Sequence, residues 1–145
     1  MQGPAREINP WVRNVAEFQE KFEKKFDTST NVGMAELIMH RLDLVHEEQQ
    51  ELYKAVGRMI AALGEKDGKA YNEGKVELLD AIADEMYVLI GMANVLGMDL
   101  TGGFAEVHRS NMSKLGADGK PIFNAAGKTM KGPNFKHPDL WPYIG

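Results

Sequence analysis

Cysteine is absent from this chain, which removes disulfide scaffolds, thiolate metal sites and cysteine nucleophiles from consideration. Long apolar runs are absent as well: no stretch reaches roughly 18 residues without a charge, and the N-terminus lacks the charged-then-apolar pattern of a signal peptide. The expectation is a cytoplasmic protein that does not engage a membrane. A basic-aromatic surface pattern is also missing and the net charge is -4, which argues against nucleic acid as a partner. The 145 residues are enough for one domain with a real core and too few for two comfortable ones, so 1–145 is read as a single domain. At 43% apolar and 26% charged, the composition is ordinary for a globular protein and leaves function to be read from pattern.

Charge is present but unevenly placed. From Glu106 onward there are six Lys/Arg against three Asp/Glu, and the part before it carries 11 against 18. The acidic part could concentrate cations and the basic tail could meet an anion such as a phosphate, although scattered lysines commonly do no more than solvate a surface.

Apolar periodicity predicts an all-α fold. After a loose lead over Met1 to Ile8, Asn9-Pro10 is a good helix start, and Val12, Val15, Phe18, Phe22 and Phe26 recur at helical spacing. Asp27 to Gly33 has loop composition. A second helix is predicted from about Met34 to Leu63 with Gly64 as its C-terminal cap, then a polar connection over Gly64 to Gly74. The third helix runs from about Lys75 to Leu96 and ends at Gly97. From Ile82 to Leu96 it is apolar nearly all round, as expected of a helix buried on most sides, within its own fold or between subunits. A fourth, shorter helix is predicted over Thr101 to Ser113, its start weakened by Gly102-Gly103. Beyond it, Pro121-Ile-Phe123 and Lys128-Thr-Met130 flank an Asn-Ala-Ala-Gly turn, so the tail is expected to be irregular with a small β-hairpin.

The stretch His46-Glu47-Glu48-Gln-Gln-Glu51 lies inside the second helix. At about 100° per residue, Glu48 falls on the apolar stripe between Leu44 and Leu52, Glu51 on its edge and Glu47 further round. On the third helix Glu77, Asp80 and Asp84 share a line that continues through Val88, Gly91 and Val95, so this row is expected to enter a buried face. An unpaired carboxylate on such a face costs several kcal/mol or takes up a proton, and a hard cation is one remedy. Up to five carboxylates around one cavity suit Mg2+, which prefers oxygen ligands and bridges carboxylates to substrate phosphates. The plainer alternative is a solvated helix face, with Glu77 and Asp80 favoured near a helix N-terminus by the macrodipole.

Glu47-Glu48-x-x-Glu51 followed by Asp80-Ala-Ile-Ala-Asp84-Glu-Met-Tyr87 resembles the metal-binding signature of the all-α nucleoside triphosphate pyrophosphohydrolases, the MazG-like and phosphoribosyl-ATP pyrophosphohydrolase-like superfamily. The second acid pair of that family is commonly Glu-x-x-Asp. Glu77-Leu-Leu-Asp80 has that spacing, whereas the surroundings of Asp84 through Tyr87 to Gly91 better resemble those of the family's last Asp, with Ala81 where a Glu is expected. Asp80 with Asp84 is the preferred register, and Glu77 is the competing ligand. The tail Glu106-Val-His-Arg-Ser-Asn-Met-Ser-Lys-Leu-Gly116 with Gly127-Lys-Thr-Met-Lys-Gly-Pro-Asn134 is similar to a subgroup of bacterial and phage MazG-like proteins, some of which are dUTPases.

The resemblance implies a MazG-like helical bundle that forms a homodimer or homotetramer. It also implies cleavage between the α and β phosphates of a nucleoside triphosphate, with Mg2+, or Mn2+ as a substitute, held by Glu47, Glu48, Glu51, Asp80 and Asp84. The best reading is dUTP to dUMP and pyrophosphate; the alternatives are phosphoribosyl-ATP pyrophosphohydrolysis and a non-catalytic helical interaction protein. Glu48 or Glu47 is expected to orient or deprotonate the attacking water. Asn111, Lys114 and Lys131 are expected to reach phosphates or sugar and Tyr87 to lie by the base or ribose. The competing readings are solvated lysines, a helix-capping Asn111 and a core-packing Tyr87. His46 and His108 fit helix-surface positions better than a hard-metal site. A di-iron bundle would need Glu-x-x-His on two helices, and Asp43-x-x-His46 stands alone.

Overall fold

A computed structural model describes residues 7–145, so most of the lead expected over Met1 to Ile8 lies outside the described residues. They fall into two compact units, of which Pro10–Val95 is one and Leu96–Gly145 belongs to the other. Four α-helices carry the fold, α1 (Pro10–Phe22), α2 (Asn31–Gly64), α3 (Gly68–Val95) and α4 (Leu100–Met112), followed by a short 3-10 turn over Trp141–Tyr143. The all-α expectation therefore holds, and no single helix is long and apolar enough to cross a membrane among the described residues.

In the first unit α1 is four residues shorter than its apolar spacing suggests. The Glu23 amide still bonds the Gln19 carbonyl at 3.2 Å, but the Glu23 side chain turns inward to Arg41. The non-helical chain beyond it brings the Phe26 ring to 5.4 Å from that of His40. Thr30 then caps α2 by accepting from the Gly33 amide at 3.0 Å, so the helix begins ahead of Met34. Gly33 is required there, because a Cβ would collide with the Asp27 backbone.

The α2–α3 turn differs most from expectation. Gly64 is not a cap but part of the helix; Lys66 takes the left-handed conformation at φ 55°. Its amide bonds the Leu63 carbonyl and the Asp67 amide bonds the Ala62 carbonyl at 2.9 Å, the paired pattern of a Schellman closure. Asp67 then starts α3, its Oδ1 accepting from the Lys69 and Ala70 amides at 3.1 and 3.0 Å. Most of the segment expected as a connection is thus helical. Gly74 sits inside α3 because a Cβ there would lie 2.6 Å from Met59 Cγ on α2.

The core of the chain is small and rich in alanine: Val15, Leu37, Ala55, Ala62, Ala81, Ile90 and Ala93. Short side chains let the helices approach closely and leave the larger ones outside. Within its own fold α3 is buried along one seam rather than on most sides, with Ile82, Met86, Tyr87 and Leu89 exposed.

In the second unit Asp99 caps α4 by accepting from the Gly102 amide at 2.8 Å, so the glycine pair serves the start of the helix. The tail is tied back to α4 by the Ser110 hydroxyl, which donates to the Lys136 carbonyl at 2.8 Å, and by Glu106, which accepts from the Asp139 amide at 2.9 Å. The expected hairpin reduces to a single antiparallel bridge between Phe123 and Thr129, closed by Gly127 at φ 78°.

Two glycines within the helices separate propensity from packing. Gly57 has nothing within 4 Å of an added Cβ. Gly57→Ala is expected to raise the urea midpoint, by about 0.5–1 kcal/mol of stability. Gly74→Val is expected to lower it by about 1–3 kcal/mol through collision with Met59. A stabilising Gly74→Val would refute the close approach.

Candidate active site

α2 and α3 carry the acids. Glu48 is half-buried, while Glu47, Glu51, Asp80 and Asp84 are exposed. The α3 acids therefore do not enter a buried face as expected. At their level the seam is filled by Ala81, 5% exposed, whose methyl is too short to cover them.

Glu48, Glu51, Asp80 and Asp84 line one cleft of about 170 Å³ together with Glu77, Arg58 and Ala81. Glu48 and Asp84 also line a second cleft of about 580 Å³, walled by Phe18, Phe22, Leu44, Tyr87 and Val88, with Gln19, Glu23, His40 and Arg41 further along. Tyr87 meets Phe18 edge-on at 5.6 Å and remains 38% exposed, so it is a cleft wall rather than a packed core ring. Of the residues singled out from sequence, Glu47 lies outside both clefts.

Like charge dominates the site. Burial pushes the Glu48 carboxyl above the usual glutamate value, and Asp84, Glu47, Glu51 and Asp80 push it further, in that order. Glu51 is held below its usual value by the Lys54 ammonium, which donates to it at 2.7 Å. Glu77 is engaged by the Arg58 guanidinium, so within the shared cleft Glu77, like Glu51, already has a cationic partner on α2, whereas Asp80 and Asp84 have none among the described residues. Asp80 and Asp84 therefore suit a cation better than Glu77 does.

Among the described residues, no three His, Asp or Glu side chains converge into a ready metal-holding group. Glu51 and Glu77 instead turn to Lys54 and Arg58. The donor set itself fits a hard divalent cation, since it is all carboxylate oxygen and leaves Glu48 surrounded by negative charge.

The model of one protein family, phosphoribosyl-ATP pyrophosphohydrolase, matches residues 15–111. The chain belongs to the phosphoribosyl-ATP pyrophosphohydrolase family. This pyrophosphohydrolase is an enzyme of the MazG-like all-α superfamily and acts on acid anhydrides, as that family does. No curated protein sequence matches it. The matched span takes in both acid-bearing helices and ends at Asn111, so most of the tail that resembles the dUTPase-like subgroup lies outside it.

The proposed phosphate and sugar contacts Asn111, Lys114 and Lys131 belong to the second unit. Lys114 donates to Asn111 Oδ1 at 2.9 Å, and Asn111 is not the α4 cap, a position held by Ser113. Lys131 lies over the Phe135 ring at 4.7 Å. His46 faces Gln50 at 2.8 Å on the α2 surface, as expected.

Sequence reasoning passed over Arg41, Gln19 and Glu23. Arg41 is buried at 4% exposure and donates to the Val88 carbonyl at 3.1 Å as well as to Glu23. Gln19 donates to the Gly91 carbonyl at 2.9 Å and accepts from Asn94 at 3.2 Å. The signal was present: Arg41 precedes Glu48 by two helical turns on the same face, and Gln19 follows Val15 by one.

Because folding raises the Glu48 pKa, the folded state favours the protonated carboxyl, and stability falls as pH rises through the raised value. With a chelator present, Glu48→Gln is expected to unfold at higher urea than the parent at pH 8, and the gap is expected to close at pH 4. Urea midpoints at both pH values measure it; a glutamine variant less stable at pH 8 would contradict the charge crowding described above.

Proposed function

We propose that the chain hydrolyses the α–β phosphoanhydride of a nucleotide triphosphate at the cleft shared by Glu48 and Asp84, releasing pyrophosphate and a monophosphate. The observation that carries this reading is that those two carboxylates, from different helices, line both the acidic cleft and the aromatic-walled one. Glu47, Glu48, Glu51, Asp80 and Asp84 are the proposed holders of Mg2+. Glu48 and Asp84 are the best supported of these, and Glu47, outside both clefts, the least. When bound, a divalent cation neutralises phosphate oxygens and polarises the phosphorus under attack.

The chain's own residues supply the rest. Water adds to one phosphorus beside the bridging oxygen, the bridging P–O bond breaks, and the water proton passes to the Glu48 carboxylate. A carboxyl held above the usual glutamate value, by burial first and then by the neighbouring acids, is suited to taking that proton. Phe18, Phe22 and Tyr87 offer stacking and edge contacts to a base in the larger cleft. For Asn111, Lys114 and Lys131 we propose phosphate or sugar contacts, supported by the sequence resemblance.

Phosphoribosyl-ATP heads the proposed substrates, because the family match favours it. dUTP is the second reading, carried by the tail motifs from Glu106 to Gly116 and Gly127 to Asn134. The apolar residues left exposed on α1 and α3, including Trp11, Phe22, Ile82 and Leu89, support assembly as a homodimer or homotetramer.

A panel of phosphoribosyl-ATP, dUTP and the other NTPs and dNTPs, assayed with Mg2+ for pyrophosphate release, tests the reading. Phosphoribosyl-ATP is expected to lead, and Glu48→Gln to lower kcat by about 10²- to 10⁴-fold. Orthophosphate as the primary product would overturn the cleavage position, and dUTP turning over fastest would reverse the substrate order.

A further inference from the structure

The two acid rows sit on separate helices, so their spacing is set by whatever fixes α2 against α3. Two close approaches do so, one on either side of the acids. Toward the turn, Gly74 admits Met59. Toward the open end, the buried Arg41 guanidinium donates to the Val88 carbonyl and fills the space beside Gly91, where a Cβ would collide with it. The helices run antiparallel, and Glu48 and Asp84 fall between these two fixed points. Arg41 lies two turns before Glu48 on α2, and Val88 lies one turn after Asp84 on α3.

We infer that Arg41, held by Glu23, is a positioning residue that fixes Glu48 against Asp84 for cation binding and turnover. This rests on the reading of the cleft as a cation-dependent hydrolase site. The side chains of Arg41 and Glu23 are 5% and 10% exposed, so the ion pair is desolvated, and Arg41 Nε has no hydrogen-bond partner at all. A buried arginine with an unused donor is a poor stability device, since an apolar pair of similar volume packs as well or better. Its planar fork can hold the Glu23 carboxylate and the Val88 carbonyl together, which a single ammonium cannot do from one point. Glu23 reaches it from just beyond the end of α1, so all three helical segments are tied at one guanidinium. Arg41 does not touch the reacting atoms; it acts through the backbone that carries Asp84.

The double variant Glu23→Gln/Arg41→Met removes both charges and leaves neither stranded. Three properties are measured: the urea unfolding curve, Mn2+ affinity by calorimetry, and steady-state pyrophosphate release on the nucleotide the parent uses best. The variant is expected to unfold cooperatively near the parent midpoint, to bind Mn2+ about tenfold more weakly and to lose about tenfold in kcat. Because Glu23 and Arg41 also line the larger cleft, the positioning role predicts losses in kcat and Mn2+ affinity that exceed any change in KM. Gly91→Ala displaces the guanidinium without changing any charge, and is expected to weaken Mn2+ binding and kcat in the same way; it decides the matter if the double variant does not fold. Either variant, folded and with parental Mn2+ affinity and kcat, overturns the positioning role. A parent that neither binds Mn2+ nor releases pyrophosphate is a different result, overturning the hydrolase reading and this inference with it.

Discussion

Repulsion among carboxylates on one helix pair is the constraint on which this structure turns. Burial first, and then Asp84, Glu47, Glu51 and Asp80, raise the Glu48 pKa, an arrangement that weakens the folded chain whenever Glu48 is ionised. Lys54 and Arg58 answer Glu51 and Glu77 from the surface, where ion pairs contribute little. The repulsion at Glu48 and Asp84 has no such partner among the described residues, and protonation of Glu48 or a ligand carrying concentrated positive charge relieves it. A protein selected for stability alone would place glutamine or leucine at position 48.

The same constraint explains why α2 and α3 are so long and so closely set. Side chains on different helices can share a small ion only if the helices are fixed to within a fraction of an ångström. Alanine at positions 55, 62, 81 and 93 and glycine at 74 and 91 keep the seam narrow. Narrowness has a consequence: bulky residues such as Ile82 and Leu89 are left facing out. Precision at the acids and exposure elsewhere arise from the same choice of small residues.

Helix identity and the acid rows were legible in the sequence because both depend on periodicity alone. The fourfold turn of the helix places Glu48 on the stripe and Asp80, Asp84 and Val88 in line whatever the tertiary structure. Helix ends were less legible. Glycine at 64 looked like a stop, yet the closing left-handed residue is Lys66, because Asp67, the next residue, could end one helix and cap the next. Phe26 kept the period of α1, but the burial of Arg41 drew Glu23 out of helical continuation. In both cases a side chain's hydrogen bonds outweighed an apolar pattern. The depth of Asp84 was misjudged for another reason. Periodicity gives direction around a helix, not how much neighbouring mass lies in that direction.

Selectivity has a separate physical origin from turnover. Acids gathered around a cation act on phosphates, which every nucleotide triphosphate shares, so they carry no information about the base. Discrimination has to come from the larger cleft, and there the polar side chains are largely spoken for: Gln19 is bonded to Gly91 and Asn94, and Glu23 and Arg41 to each other. What remains along the wall is mostly apolar and aromatic, from Phe18, Phe22, Leu44, Tyr87 and Val88, with Lys24 and His40 also in the lining. Such a surface separates ligands by size and stacking, typically by about 10- to 200-fold, whereas dedicated hydrogen bonds to a base reach about 10⁴-fold or more.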